Sequence, residues 1–276
     1  MMNEKSQTRY LSLLQMERRA PSLDYLRVLT KHHLHRFPFE NISKIYYYAS
    51  QASTGQPWLP AIDTFLDHFE RHGLGGNCYI LNVHFGQLLD SLGFQTELVR
   101  ATGGNVHLAN RVTVEGRSYY VDVGYGAPLF EPLSLEEQPR FSRCGEEVEI
   151  MKLKTNRYMI DRRANGQSLV TKYIEWCPVS LESFEEAITH SLRDEDDNPF
   201  MRKIIATLYK QEVAYSVINQ KLLIRTDDRT EVHEYTEKRQ WMHMMRITFG
   251  FTEEMLLQAL EFVESRAGAS PLFVHR

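Results

Sequence analysis

At Phe94 the apolar pattern of this sequence changes period. Before it, apolar residues recur every three or four positions, as on one face of a helix. After it they alternate, as on a strand. That order predicts an α+β protein with a helical N-terminal unit followed by sheet. Residues 9–50 read as helical: Tyr10, Leu11, Leu13 and Leu14 begin an apolar face, and Pro21-Ser22 interrupts it. Ser22 then caps a second helix carrying Leu23, Leu26, Val28 and Leu29. Phe37-Pro38-Phe39-Glu40-Asn41 reads as an apolar turn. Residues 50–60 read as a loop through Gly55, Pro57 and Pro60, and Asp63 to Arg71 as a short amphipathic helix.

The last helical segment opens on Gly75-Gly76-Asn77-Cys78. Asn77 is a good helix cap, Cys78 falls in the first turn, Leu81, Phe85, Leu88 and Leu92 follow at helical spacing, and Gly93 supplies the stop. The positive end of a helix favours a thiolate nucleophile. The preceding glycines are expected to leave room for a substrate carbonyl, and free backbone N–H groups nearby to form an oxyanion hole.

Beyond Phe94, Thr96 to Ala101 reads as a strand, Thr102-Gly103-Gly104-Asn105 as a turn, and Val106 to Glu115 as a second strand. Glu115-Gly116 fits a two-residue hairpin turn, with Arg117 to Val123 as the returning strand. If so, Val114 faces Arg117 and paired numbers sum to 231. His107 then falls opposite Gly124, with Asp122 as its diagonal neighbour on the same face, about 7–8 Å away at the backbone. Gly124 and Gly126 are expected to keep the space beside the histidine open. Strands over Glu147–Lys154, Arg157–Arg162 and Leu169–Trp176 suggest a barrel or curled sheet. A short helix follows from Leu181 to His190. The acidic run Asp194 to Asn198 marks the boundary of a third region, with strands near 213–218 and 221–226 and a helix from Thr252 to about Arg266. The apolar stretch Ser270 to Val274 is expected to pack back onto the body.

Several function classes are disfavoured. The net charge of −4 and the lack of a basic stripe point away from nucleic acid. No apolar run approaches the roughly 20 residues of a membrane helix, and the first residues lack an apolar signal core. Three cysteines, Cys78, Cys144 and Cys177, are too few and too odd for a disulfide framework, so a cytoplasmic location is expected. His32, His33 and His35 lack the spacing and partners of a zinc site, and no metal is expected.

A thiol at a helix start with His107 and Asp122 across one hairpin is the constellation of nucleophilic acyl transfer. His107 takes the thiol proton and Asp122 holds the ring. The order Cys, His, Asp matches papain-like and transglutaminase-like proteins. Four stretches give the chain a narrower resemblance, to the arylamine N-acetyltransferases. They are Leu23–Leu29 through Pro38-Phe39-Glu40-Asn41, Gly75-Gly76-Asn77-Cys78-Tyr79 to Asn82, Val106-His107-Leu108, and Val121-Asp122-Val123-Gly124-Tyr125-Gly126.

The resemblance implies a helical bundle over 1–92 carrying Cys78, a β-barrel over 93–192 carrying His107 and Asp122, and an α/β lid over 193–276. It implies a Cys78–His107–Asp122 triad and ping-pong transfer of acetyl from acetyl-CoA, a cosubstrate rather than a bound cofactor. The acceptor it implies is the nitrogen of an arylamine or arylhydrazine. Phe39 and Tyr125 fall where the family lines its acceptor pocket, and Gly103 and Gly104 where the backbone lies near the CoA thioester. Phe39 and Tyr125 also suit plain core packing. The chain departs from the family at Leu74, usually Arg, and Ile80, usually Glu, and the two are expected to replace an ion pair by an apolar contact. Other readings of the same residues are an amide synthase using another acyl thioester, a non-catalytic binding relative, and a cysteine peptidase.

Overall fold

A computed structural model describes residues 2–54, 58–266 and 272–273. The N-terminal unit holds α1 (Glu4–Leu13), α2 (Leu23–Arg36), the two-residue strand β1 (Phe39–Glu40), α3 (Ile42–Thr54), α4 (Ile62–His72) and α5 (Cys78–Ser91). The Ser22 side chain accepts from the Tyr25 N–H, so the cap on α2 forms as its sequence dictates. Tyr10, Leu26, Leu29, Phe65, Phe85 and Leu88 are fully buried where these helices meet. The histidines of α2 join that packing: His33 Nε2 lies 2.8 Å from the Tyr10 hydroxyl, and its ring stacks on Phe37 with centroids 4.7 Å apart. Part of the 50–60 loop lies outside the described residues, and α3 runs further into it than its sequence suggests.

Next come β2 (Gln95–Thr102), β3 (His107–Val114), β4 (Arg117–Val121), β5 (Arg140–Arg143), β6 (Glu146–Lys154), β7 (Arg157–Ala164) and β8 (Gln167–Val179). They form one antiparallel sheet in the order β4-β3-β2-β8-β7-β6-β5. The β3–β4 register is the one expected from the turn: Val114 pairs with Arg117 and Asn110 with Val121. Glu115 and Gly116 have φ of +54° and +75°, the left-handed pair that a tight hairpin needs. The sheet is open rather than a closed barrel. Among the described residues β4 and β5 do not pair, because the free edge of β4 is already taken. Tyr120 exchanges both backbone hydrogen bonds with Leu133, at 2.8 and 2.9 Å.

The remainder contains α6 (Glu185–Ser191), β9 (Ile205–Lys210), β10 (Val213–Ile218), β11 (Lys221–Arg225), β12 (Thr230–Glu234), α7 (Lys238–Phe249) and α8 (Glu253–Arg266). Strands β9 to β12 form a second antiparallel sheet whose first member is β1, giving the order β1-β9-β10-β11-β12. Phe39 pairs with Thr207 and Glu40 with Ala206. Asn41 reinforces the join: its Nδ2 donates to the Phe200 and Lys203 carbonyls at 2.9 and 2.6 Å, and its Oδ1 accepts from the Ile205 N–H at 2.8 Å. The Pro-Phe-Glu-Asn stretch is thus a splice between the first and last thirds of the chain. Of the apolar C-terminal stretch only Leu272 and Phe273 are described, and Phe273 packs on Trp241 with ring centroids 5.6 Å apart. No described helix is long and apolar enough to cross a membrane.

Candidate active site

Cys78 is the first residue of α5. The Asn77 side chain caps the helix by accepting the Tyr79 and Ile80 N–H groups at 3.0 and 3.2 Å. Those two donors are therefore unavailable as an oxyanion hole. The Cys78 N–H remains, with no intrahelical acceptor at that position. The glycines before the cap do not make substrate space. A Cβ on Gly75 would lie 2.0 Å from the Pro38 carbonyl oxygen, and one on Gly76 would lie 2.7 Å from Ile80 Cβ. Their bareness lets the loop run against β1, where the Gly76 carbonyl accepts from the Glu40 N–H at 3.0 Å.

The hairpin delivers the other two groups. The His107 Nε2–H donates to Asp122 Oδ2 at 2.6 Å, with both side chains buried. Three further donors converge on the carboxylate: the Tyr120 hydroxyl at 2.7 Å, Asn82 Nδ2 at 2.8 Å and the Gly124 N–H at 3.0 Å. Burial alone would raise the Asp122 pKa; the His107 charge and these hydrogen bonds reverse it and hold the group below its ordinary value. Burial likewise opposes charge on His107, but the Asp122 carboxylate and Cys78 outweigh it and push the imidazole up to about 10. With Nε2 committed to Asp122, Nδ1 is the ring nitrogen left free, and the Cys78 sulfur is near enough to favour the charged ring electrostatically.

Asn82, not singled out from sequence, ties α5 to this hairpin. Besides Asp122, it donates to the Leu108 carbonyl at 2.7 Å and accepts the Val123 N–H at 2.9 Å. Its signal was a polar side chain one helical turn beyond Cys78, on a helix otherwise apolar there. Tyr120 was also missed, since a strand tyrosine reads as packing. Gly124 is needed for contact rather than openness: a Cβ there would lie 2.6 Å from Cys78 Cα and 2.8 Å from Asn82 Nδ2. Gly126, at φ +64°, has the Phe39 ring 3.0 Å from where its Cβ would stand.

A cavity of about 850 Å³ opens beside these groups. Cys78, His107, Phe39, Tyr125, Gly103 and Gly104 all line it, while Asp122 lies behind His107. The Tyr125 ring is 5.2 Å from that of His107, and the Phe39 ring meets Phe200 edge-on at 6.2 Å. Gly103, at φ +108°, lies against the Thr171 carbonyl, and Gly104 faces open space. Cys144 is buried, which pushes its thiol up to about 12; Cys177 is exposed, and all three cysteines are free.

Leu74 and Ile80 are both buried, but in separate apolar clusters, Leu74 with Ile42 and Trp241, and Ile80 with Phe85 and Val123. The expected contact between them does not form. The carboxyl nearest position 74 along this loop is that of Glu40, which lies by the Gly75 backbone and accepts the Ser43 N–H at 2.8 Å. Its Oε1 is buried and unpartnered among the described residues. Burial pushes its pKa from 4.5 up to about 7. Because the folded value lies above the ordinary one, its stabilising contribution is full below pH 4.5 and is lost as pH rises through about 7. Glu40→Gln is therefore expected to be more stable than wild type at pH 8 by about 2–3 kcal/mol, with a much smaller gain at pH 4.5. Urea midpoints of both proteins at the two pH values check this.

A profile of the N-acetyltransferase family matches residues 22–255. The chain belongs to the arylamine N-acetyltransferase family. Among relatives, rabbit (Oryctolagus cuniculus) arylamine N-acetyltransferase 1 is 24% identical over 262 residues, covering 85% of each chain. Proansamycin X synthase of Amycolatopsis mediterranei is 31% identical over 151 residues, 51% of this chain and 55% of that one. The fold matches the Mycobacterium marinum arylamine N-acetyltransferase in complex with CoA at TM-score 0.77 and 18% identity, covering 95% of this chain and 98% of that one.

Proposed function

We propose that this protein transfers an acetyl group from acetyl-CoA to the nitrogen of an arylamine or arylhydrazine through an acetyl-Cys78 thioester. The observation that carries the reading is the meeting of three groups: Cys78 at a helix start, a buried His107–Asp122 pair, and one cavity that both Cys78 and His107 line. His107 Nδ1 accepts the Cys78 thiol proton. The thiolate attacks the acetyl carbonyl, and the Cys78 N–H faces the oxygen that gains charge. Collapse breaks the bond to the CoA sulfur, which leaves with the proton from His107. The amine then attacks the acetyl-Cys78 carbonyl and passes a proton to His107. The Cys78 sulfur departs and takes that proton back, leaving an N-acetylated product. Asp122 stays ionised throughout and offsets the imidazolium charge. Three free thiols suit a reducing cytoplasm.

Incubation with acetyl-CoA and no acceptor tests this directly. Intact mass is expected to rise by one acetyl group, peptide mapping to find it on Cys78, and added aromatic amine to restore the starting mass. A thiol that reacts with an alkylating agent yet gains no acetyl would instead assign the protein another acyl thioester, as in an amide synthase.

A further inference from the structure

Most charges lining the cavity have partners. Glu146 pairs with both Arg162, at 2.7 Å, and Arg225, at 3.1 Å. Lys172 donates to the carbonyls of Gly103 and Asn105, and Arg100 to that of Ser183. Lys44 differs. It lines the cavity, is 4% exposed, and its Nζ makes no hydrogen bond or ion pair among the described residues. Glu40, the nearest acidic residue in the chain, is turned to the Ser43 backbone instead.

A buried cation without a counter-charge is costly, and proteins keep one where a ligand supplies the missing charge. Burial lowers the Lys44 pKa to about 8, so most of it remains charged at neutral pH. The Cys78 sulfur is close enough to act on it electrostatically. Its immediate wall is aromatic: Nζ lies 5.5 Å from the centroid of the Phe200 ring, which meets Phe39 edge-on. A cation against the Phe200 ring, in the cavity that Phe39 and Cys78 also line, is complementary to a flat ring that carries a carboxylate.

We propose that Lys44 selects the acceptor: the preferred substrate is an aromatic amine with a carboxylate on its ring, which pairs with Lys44 while the ring lies against Phe39 and Phe200. This rests on the acetyl-transfer reading and narrows its substrate class. The aromatic wall assigns the carboxylate to the acceptor rather than to the acyl donor.

The test compares 4-aminobenzoate with its neutral analogue 4-aminobenzamide, using wild type, Lys44→Met and Lys44→Arg. Wild type is expected to favour the benzoate. Lys44→Met is expected to lose about 10- to 100-fold in kcat/KM on the benzoate, the scale of a hydrogen bond to a charged group, mostly through KM. Its loss on the benzamide is expected to be far smaller, and Lys44→Arg to recover most of the benzoate activity. Equal losses on both acceptors would overturn the proposal by making Lys44 a partner of the thiol or of the fold. No loss on either, or a loss confined to a carboxylate-bearing donor such as malonyl-CoA, would overturn it too. Calorimetric binding of 4-aminobenzoate to unacylated wild type and Lys44→Met reads the same contact without turnover, so failure of acetyl transfer is distinguishable from failure of this contact. Urea denaturation shows whether Lys44→Met is folded, and removing an unpartnered buried charge is expected to leave its midpoint unchanged or raised.

Discussion

Replacing Cys78 with Ser is expected to lower kcat for acetyl transfer by about 10⁴- to 10⁶-fold, the scale seen when a catalytic nucleophile is removed. The substitution changes one atom in a partly exposed side chain at the first position of α5. The cap from Asn77 and the close contact with Gly124 are kept, so the melting temperature is expected to stay within a few degrees of wild type. The chemistry changes far more than the shape. A hydroxyl does not yield its proton to imidazole as a thiol does, and an oxyester is less reactive towards a weakly basic aromatic amine than a thioester. Steady-state rates with a saturating acceptor, together with thermal unfolding of both proteins, check the two halves of this expectation. A variant that keeps more than about a hundredth of the activity would exclude Cys78 as the acyl carrier.

Asp122→Asn is the second large effect, about 10³- to 10⁴-fold in kcat by analogy with other triads. The carboxylate receives four donors, from His107, Tyr120, Asn82 and Gly124. An amide has one oxygen for them, so its NH₂ must face groups that are themselves donors. If it donates to His107 Nε2, the ring proton moves to Nδ1 and points at the thiol it should deprotonate. A stability loss of about 1–3 kcal/mol accompanies this, from buried donors left without acceptors. The pH profile adds a separate readout. In wild type, kcat/KM is expected to fall as pH rises through about 10, where the imidazolium loses its proton. Removing the carboxylate removes the main group that raises that value, so the alkaline limb is expected to move to lower pH in the variant.

Local chemistry made much of the site legible in the sequence. The hairpin register followed from one turn, because Glu115-Gly116 fixes every later pair and so sets His107 beside Asp122. The start of α5 was legible because Asn77 satisfies its orphan donors. What stayed hidden depends on distant segments. A barrel and a curled sheet were both expected, and strand count did not decide between them because it says nothing about what occupies the edge of β4; Leu133 occupies it. Strand β12 is mostly exposed and carries no alternating apolar pattern, and β9 and α7 were not assigned. Glycines near the thiol read as openness, whereas Gly75 and Gly124 are bare because backbone crosses them. Lys44 had no signal at all. A lone lysine on a helix reads as solvated until Phe200, brought in from the far end of the chain, covers it.

The two-residue strand β1 also bears on the order of events during synthesis. Cys78, His107, Asp122 and Asn82 lie within one short stretch of chain, and their mutual contacts need nothing that follows. The aromatic wall is different, since Phe39 has no neighbouring strand until Ile205–Lys210 has been made, and Phe200 is held only once Asn41 can reach it. A growing chain therefore carries Cys78 and His107 well before Phe39 and Phe200 are held together. If Lys44 and Phe200 select the acceptor, as proposed, that selectivity forms last, with the C-terminal third.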